Sequence, residues 1–405
     1  MKSMRLTDSP FLKNPARPIV HLCGGKGAYS NTYEALSKMD LTPACGKRVL
    51  LKPNSGRIAS PGSGITTDPQ VIAAAIDAFK EAGADVAIGE SPIIGVNTKE
   101  AFDANGISII AMERGCSLID MDARPNVEVT VPEGISINSL KVCPEVFEYD
   151  LIISIPVMKM HMHTGVTLSI KNMKGCLWRR SKVKLHMLSP VKGSDVKPIN
   201  IAIADMSGIL CPHLAIIDGT VGMEGLGPSA GNAKALDVVV ISADAFAADT
   251  VACKLMGTQA EDISYLRIGA ERGYGVIDLN SIIVTPDNWK DWISPFSPPP
   301  KNLLIEFPKV KILDKKSCSA CQSTLFLFLK QYGEQLFDYF PSDTIIKIAI
   351  GKGNEEIPDD TICIGNCTIK HRKRGIFIPG CPPVGSEILQ VISNINPNGN
   401  KEDIN

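Results

Sequence analysis

From about residue 48 the chain alternates short runs of β-branched residues with helical stretches. The segments "RVLLKPN", "DVAIGES" and "DLIISIPVMK" are typical of buried strands. Between the first two, "DPQVIAAAIDAFKEAGA" predicts a helix with Asp68 as its N-cap, Pro69 at its first position and Gly83 just past its end. "LAIIDGTVGMEG" and "LDVVVISADAFAADTVACKLMG" add two strands and another helix. This alternation predicts an α/β fold with a mostly parallel sheet and helices on both faces.

The segments expected to follow the strands are polar and rich in glycine. They are "KPNSGRIASPGSGITTDP", "GESPIIG", "KMHMHTGVT" and "DGTVGMEGLGPSAGNAK". Open α/β sheets bind their ligands just beyond the carboxyl ends of the strands. We therefore expect the functional site among these loops.

A proline-rich segment, "WISPFSPPPKN" (292–302), predicts an extended linker between two domains. We expect an α/β domain over residues 1–295 and a small αβ domain over 303–405. The second begins with the polar turn "DKKSCSACQ", continues through the helix "TLFLFLKQYGEQLFDYF" and the strands "TIIKIAIG", "TICIGN" and "GIFIPG", and ends in the helix "SEILQVIS". A frayed tail is expected from residue 396 to 405.

The charge and hydropathy of the chain exclude several classes of function. A net charge of −1 creates no overall field that would recruit nucleic acid or a membrane surface. The first residues contain no apolar signal core, and no apolar run reaches the ~18 residues of a membrane span. We expect a cytoplasmic protein, whose 12 cysteines would then stay reduced rather than form disulfides.

Four cysteines near the C-terminus form the most specific pattern in the chain. Cys318 and Cys321 form a C-x-x-C pair, while Cys367 and Cys381 follow two strands that are expected to lie side by side. Cys381 stands in "GCPP", a rigid corner because the two prolines fix φ and donate no N–H. Four thiolates on loops at one end of a small αβ layer fit a [4Fe–4S] cluster, and proline after a cluster cysteine occurs in ferredoxins.

Three other interpretations of the cysteines remain open. A structural zinc site uses four cysteines, but it usually has two compact C-x-x-C pairs, whereas Cys367 and Cys381 are far apart in sequence. A thioredoxin-like pair would use only Cys318 and Cys321. Cys363, in "TICIG", is expected to face the core and is not counted as a ligand.

A second dense patch, "PVMKMHMHTGVTLSIKNMKGCLWRRSKVKLH", follows a buried strand. Lys159, His161 and His163 stand at alternate positions, so they would face one side if the extended backbone continues. Charged groups after a buried strand are costly without a role. Cations and histidine here suit an anionic substrate and proton transfer. The candidate catalytic residues are Lys159, His161, Asp218 and Glu224, and the candidate substrate-binding residues are Lys52, Asn54, His163, Thr164, Lys171, Asn172 and Lys174.

Two other interpretations of this patch remain open. His161 and His163 could ligate a metal together with a carboxylate such as Asp218 or Glu224. The segment "WRRSKVK" could be an ordinary solvated face of charged side chains.

Several of these stretches together resemble the family called domain of unknown function 362. The matching segments are "LLKPN" with "TTDP", "IGES", "DLIISIPVMKMHMHTGVTLSIKNMKG", "IIDGTVGMEGLGPSAG" and "SADAFAADTVACKLMG", over roughly residues 48–260. Members of the family are described as iron–sulfur proteins, which implies that "CSAC", "GNC" and "IPGCPP" form a cluster-bearing tail. Locally, "GCPP" is similar to a corner in the small cluster subunit of respiratory NADH dehydrogenase. The lysine–histidine segment is similar in layout to that of nickel-dependent lactate racemases.

The pattern as a whole predicts a cytoplasmic [4Fe–4S] protein of anaerobic metabolism, either a redox enzyme or an electron-transfer protein. Its expected partner is a small anionic molecule or an electron-transfer protein, with no nucleic acid or membrane, and a homodimer is allowed. One alternative is a non-redox isomerase or lyase with a structural cluster. Another is an electron carrier or metallocofactor chaperone without turnover.

Overall fold

The computed structural model describes residue 6 and residues 8–299, 307–341 and 343–395. Within these ranges the chain forms two compact units, residues 1–185 with 189–300 and residues 186–188 with 301–405. The predicted tail from 396 onward and residues 300–302 of the predicted linker lie outside the described residues. No helix within these ranges is long and apolar enough to cross a membrane.

The strands of the first unit are numbered in chain order. They are β1 (Ile19–Gly24), β2 (Arg48–Pro53), β3 (Asp85–Glu90), β4 (Ser117–Asp120), β5 (Val127–Thr130), β6 (Ser139–Val142), β7 (Leu151–Ile155), β8 (Val157–His161), β9 (Gly165–Thr167), β10 (Leu214–Glu224), β11 (Asn232–Ser242) and β12 (Ile283–Thr285).

The α-helices of the same unit connect these strands. They are α1 (Ala28–Ser37), α2 (Pro69–Glu81), α3 (Thr98–Ala104), α4 (Ile107–Glu113), α5 (Glu145–Glu148), α6 (Ser169–Asn172), α7 (Ser181–Lys184), α8 (Pro198–Leu210), α9 (Ala245–Leu255) and α10 (Ser264–Glu271).

The first unit is built on a ten-stranded mixed sheet. Its main path runs β12-β1-β11-β10-β7-β2-β3-β4, with β8 paired to β10 and β9 paired to β8. Most neighbours are parallel, and the antiparallel pairs are β1–β11, β10–β11 and β8–β9. The prediction of a mixed α/β fold with a mostly parallel sheet is therefore confirmed.

Helices pack on both faces of this sheet. On one face, α1, α2 and α4 bury their apolar side chains against strand residues such as Ile153 in a single core cluster. Successive strand residues point to opposite faces, so Ser154 lies on the other one. There the Ser154 hydroxyl donates to the Ser169 carbonyl of α6, and Asp249 of α9 accepts from the Ser169 amide.

The predicted helix after β2 forms for the expected reasons. The Asp68 carboxylate accepts the Gln70 amide N–H at the start of α2, and Pro69 occupies the first helical position. Gly83, at φ 84°, ends the helix in the left-handed region. The helix thus leads back into β3 beside β2, as a parallel crossover requires.

Two segments predicted as loops are strands in the structure. Most of "DGTVGMEGLGPSAGNAK" belongs to the long antiparallel hairpin β10–β11, so only residues 225–231 connect the two strands. "KMHMHTGVT" likewise forms the β8–β9 hairpin, whose strand ends at His161. The extended backbone therefore does not continue to His163, which lies in the turn.

The second unit has a four-stranded parallel sheet. Its elements are β13 (Val310–Asp314), α11 (Ser319–Leu336), β14 (Ile346–Ile350), β15 (Thr361–Ile364), β16 (Phe377–Ile378) and α12 (Gly385–Ile395). The strand order is β13-β14-β15-β16, and every pair is parallel. Leucine, isoleucine and phenylalanine side chains from α11, α12 and the sheet form a core of its own. All the loops that follow these strands therefore lie at one edge of the sheet.

Candidate functional site

A loop that follows β2 folds over the carboxyl ends of β2 and β7. The Thr67 hydroxyl donates to the Ile155 carbonyl and accepts the Asn54 amide N–H. Lys159 of β8 is 2% exposed, and its Nζ donates to Asn54 Oδ1 and to the Ile65 carbonyl, both at 2.7 Å. This lysine therefore fixes both ends of the loop in place.

Beneath the loop lies a fully buried ion pair. Lys52 Nζ is 2.8 Å from Glu90 Oε1, and the two side chains are 1% and 3% exposed. The Glu90 carboxylate also accepts the Ser55 and Ser91 amide N–H groups, and Lys52 Nζ donates to the Pro53 carbonyl. Because the two charges and their hydrogen-bonding groups are partnered, their burial is compensated.

Asn172 connects this pair to the loop. Its Nδ2 donates to the Lys52 carbonyl and to Ser154 Oγ, while its Oδ1 accepts from Asn54 Nδ2. Asn172 is held in place because Asp249 accepts the Ser169 and Ile170 amides at the start of α6. Burial raises the pKa of Asp249 to about 7 although these hydrogen bonds oppose the shift.

Further cations surround Lys159. Lys171 is buried and donates to Thr167 Oγ1, and Lys174 and Arg57 are half-buried. Burial lowers the pKa of Lys159 and of Lys174 to about 7, with the Arg57 charge adding to both shifts. Burial and the charges on Lys174, Lys159 and Arg57 hold the pKa of Lys171 well below its ordinary value. The site is a cluster of cations that repel one another.

Lys182 borders this cation site. It is buried and donates to Ser91 Oγ and to the Leu177 carbonyl, with the Asp122 carboxylate 3.8 Å away. Arg179, Arg180 and Lys184 of the same segment are exposed. The interpretation of "WRRSKVK" as a solvated face therefore holds for three of its four cations and fails for Lys182.

His161 and His163 are both buried, with ring centroids 6.0 Å apart. His161 Nδ1 accepts the backbone N–H groups of His163 and Thr164, which closes the turn after β8. In the neutral ring the proton is therefore on Nε2, which is a donor. The Thr164 hydroxyl donates to the Val166 carbonyl, so this side chain also stabilises the turn.

The two candidate carboxylates have different surroundings. Asp218 is fully buried and accepts from the Asp68 amide and from the amide and hydroxyl of Thr220. Its burial raises its pKa to about 6, which those hydrogen bonds oppose. Glu224 is half-buried. Its carboxylate accepts the Ser297 amide N–H and lies 3.6 Å from Lys234 Nζ, and these contacts lower the pKa of Glu224. Each has a structural role at its own position on β10.

The four predicted cluster cysteines lie at the carboxyl edge of the second sheet. Cys318 precedes α11, Cys367 follows β15 and Cys381 follows β16. The Asn366 amide donates to the Gly380 carbonyl and the Gly380 amide to Asn366 Oδ1, which ties the last two loops together. Cys321 lies beside them, since a Cβ added to Gly365 would be 3.6 Å from its sulfur.

The thiols influence one another electrostatically. A hydrogen bond from Cys321, helped by backbone N–H groups at the start of α11, lowers the pKa of Cys318 to about 6. That hydrogen bond, burial and the nearby charges of Cys318, Cys367 and Cys381 raise the pKa of Cys321 well above its usual range. Cys318, Cys367 and Cys381 therefore all lie near enough to Cys321 to act on it.

Two further expectations from the sequence concern Cys363 and the histidine metal site. Cys363 is fully buried in β15 and packs with Ala349 and Ile357. Throughout the described ranges, no group of three or more His, Cys, Asp or Glu side chains is arranged to hold a metal ion. This applies to the four cysteines as they stand and to His161 and His163 with a carboxylate.

Sequence reasoning did not select three charged residues that lie in or beside the cation site. Arg57 stands inside a loop that was recognised as polar, but its proximity to Lys159 depends on how the loop folds back. Glu90 and Lys182 are charged residues that become buried next to other charges. For Glu90 a signal was present, because it ends a buried strand just as Lys159 does.

One protein family and two known proteins show similarity to this chain. A family model described as "Domain of unknown function (DUF362)" matches residues 49–254. The chain is similar to the "Thylakoid-associated protein sll1697" of Synechocystis sp. (strain ATCC 27184 / PCC 6803 / Kazusa), with 28% identity over 263 residues, 60% of this chain and 76% of that protein. Among solved structures it is similar to the lactate racemase apoprotein from Thermoanaerobacterium thermosaccharolyticum, at 13% identity and a TM-score of 0.41, covering 96% of this chain and 86% of the other.

Proposed function

Because this chain belongs to the DUF362 family, whose function is described as unknown, its activity must be argued from its own residues, and we propose an iron–sulfur protein that binds a small anionic ligand. The observation that carries the proposal is the convergence of Cys318, Cys321, Cys367 and Cys381 at one edge of the second sheet. Iron–sulfur clusters are held by four cysteine thiolates, so the donor set fits.

The surroundings of the thiols also support a cluster. Cys318 has a thiolate-favouring position at the start of α11, and thiolate is the form that binds iron. Cys367 is exposed and Cys318 and Cys381 are half-buried, so the site lies at the surface of its unit. When bound, a [4Fe–4S] cluster would supply one-electron redox chemistry there.

The cation site of the first unit would bind the anionic ligand. Lys171 and Lys174 would bind its negative charge, and Lys159 would orient it and exchange a proton, since its pKa of about 7 allows both states near neutrality. His161 would donate a hydrogen bond through Nε2 rather than accept a proton at Nδ1, which already accepts two N–H groups. A cytoplasmic location remains the prediction, and cell fractionation tests it.

Anaerobic purification with iron and sulfide quantitation tests the cluster. We expect about four irons and four sulfides per chain and an EPR signal after dithionite reduction. Cys321→Ser and Cys381→Ser should lose most of the iron, whereas Cys363→Ala, a core cysteine of the same unit, should retain it. Stoichiometric zinc, no metal, or unchanged iron in both serine variants would contradict the proposal.

A second candidate is a non-redox isomerase or lyase with a structural cluster. It is favoured by the near-neutral pKa of Lys159, which suits a general acid or base and needs no electrons. Turnover that continues without any reductant or oxidant, and stops in Lys159→Met, would support it. An electron carrier without turnover would instead keep electron transfer to its partner in the same variant.

A further inference from the structure

Arg57 occupies an unusual position in the loop over the cation site. Its guanidinium is half-buried, and within the described part of the chain it forms neither an ion pair nor a hydrogen bond. Burial lowers its pKa to about 10. A guanidinium that is partly withdrawn from water and has no acceptor gains from an anion that supplies one.

The groups nearest Arg57 add positive charge instead of removing it. Its charge lowers the pKa values of Lys159, Lys171 and Lys174. The nearby carboxylate of Glu90 is already paired with Lys52 at 2.8 Å. Lys159 and Lys171 donate only to neutral oxygens, those of Asn54, Ile65 and Thr167. Among the described residues, no carboxylate therefore pairs with Lys159, Lys171 or Arg57.

The same loop carries two buried hydroxyl groups with no hydrogen-bond partner among the described residues, Ser55 Oγ and Thr66 Oγ1. Ser55 and Thr66 are 0% and 4% exposed. Buried hydroxyls are normally hydrogen-bonded, and an unsatisfied one costs about 1–3 kcal/mol. They are independent of the charges, and each would gain a hydrogen bond from a polar ligand that reached it.

We propose that Arg57, Lys159, Lys171 and Lys174 form a binding site for a small phosphate-bearing molecule. This inference rests on the anion-binding part of the proposed function and makes it more specific. It does not depend on the iron–sulfur cluster. Arginine binds phosphate oxygens through two parallel N–H groups, and lysine contributes point charges. A phosphate monoester carries about two negative charges and three acceptor oxygens, which suits several converging cations better than a single carboxylate does.

Calorimetric titration of the full-length protein with pyrophosphate, inorganic phosphate and succinate, at constant ionic strength and pH 7, tests this assignment. Pyrophosphate and phosphate are expected to bind, with succinate at least about tenfold weaker than pyrophosphate. Equal affinity for succinate would overturn the phosphate assignment, and no binding of either phosphate probe would overturn the site.

Variants connect the binding to these residues. Arg57→Gln and Lys171→Met should each weaken pyrophosphate binding about tenfold or more, since each removes a charge-assisted contact. Arg17→Gln, an exposed arginine of the same unit, should bind normally. Without ligand, Arg57→Gln should unfold at the same or a higher temperature, because it removes an unpaired and partly desolvated charge. Unchanged pyrophosphate affinity in both site variants would contradict the proposal.

The same titration on Cys381→Ser separates this inference from the cluster. If that variant loses iron and still binds pyrophosphate, both proposals are supported. If the wild type contains no iron and still binds pyrophosphate, only the cluster proposal fails. If the wild type contains iron and binds neither phosphate probe, only the present inference fails.

Discussion

Lys52 and Glu90 show how strongly one buried pair determines the shape of the site. The Glu90 carboxylate binds Lys52 Nζ and also holds the Ser55 amide at the start of the loop. Removing one partner of a buried pair leaves an uncompensated charge, which typically costs 3–5 kcal/mol. Glu90→Gln should therefore lower the free energy of unfolding by about 3 kcal/mol in urea titrations.

The exposed pair Lys99–Asp103 is the control for this measurement, because its side chains are 80% and 45% exposed. Asp103→Asn should leave the urea unfolding midpoint close to that of the wild type. A loss of similar size in both variants would show that the burial of the Lys52–Glu90 pair has no special effect.

The charge state of Lys159 gives a prediction about pH. Its pKa is about 7 in the folded protein, below its ordinary value of 10.5, so above pH 7 the unfolded chain binds more protons than the folded one. Stability contributed by this residue then rises with pH, with a slope that approaches about 1.4 kcal/mol per pH unit. Below pH 7 both states are protonated and the slope vanishes.

Comparison with Lys159→Met tests this effect. Loss of the Lys159 charge also raises the pKa of Lys171, which changes the stability difference in the same direction. Asp218, Asp249 and the buried thiols remain in both proteins, as do Arg57, Lys52 and Glu90, the charged groups that act on Lys159. The stability of the wild type minus that of Lys159→Met should increase from pH 7 to pH 8.5. The exposed Lys184→Met should show no such trend, and a flat difference for Lys159→Met would rule out the lowered pKa.

At the scale of elements, the β10–β11 hairpin shows why the sequence could not reveal the full length of every strand. Its glycines are typical of a loop, yet Gly219 and Gly222 lie inside β10. A Cβ on Gly222 would lie 2.8 Å from the Met158 carbonyl and 2.7 Å from the Phe296 ring. Glycine is needed there because β8 and Phe296 approach closely, a tertiary contact that no local pattern contains.

Gly222→Ala should therefore be destabilising. The Phe296 ring can turn aside, but the Met158 carbonyl oxygen at 2.8 Å belongs to the backbone, so β8 must shift, at a cost of about 1–3 kcal/mol. Met223, the next residue, pairs with Lys159, so anion binding should weaken as well. Urea unfolding and pyrophosphate titration measure the two effects. Ala233→Gly, a change on the partner strand β11, should affect stability less and leave binding unchanged.

Other elements were predictable because their causes are local. The limits of α2 follow from Asp68, Pro69 and Gly83, which act within one turn of the helix ends. Cys367 and Cys381 each follow a predicted strand, and these two strands were expected to be neighbours. Because β15 and β16 are parallel neighbours, the loops after them end at the same edge of the sheet. Arg57 could not be placed in the same way, since its position depends on the fold of a long loop.

At the scale of the whole molecule, each unit has its own apolar core. Separate cores typically unfold as separate cooperative transitions. Calorimetry should therefore show two unfolding transitions. Pyrophosphate should raise the midpoint temperature of the first unit's transition only. Anaerobic iron removal with a chelator should lower the midpoint temperature of the second unit's transition only, since ligands stabilise the unit that binds them.

The variants assign the two transitions. Glu90→Gln should lower the transition that responds to pyrophosphate, and Cys381→Ser the one that responds to iron removal. Because the residues that would bind phosphate all belong to the first unit and the four cysteines to the second, each ligand has a single unit to stabilise. A single transition that shifts with both treatments would mean that the two units unfold together, and the anion site and the cysteine site would then be coupled in stability.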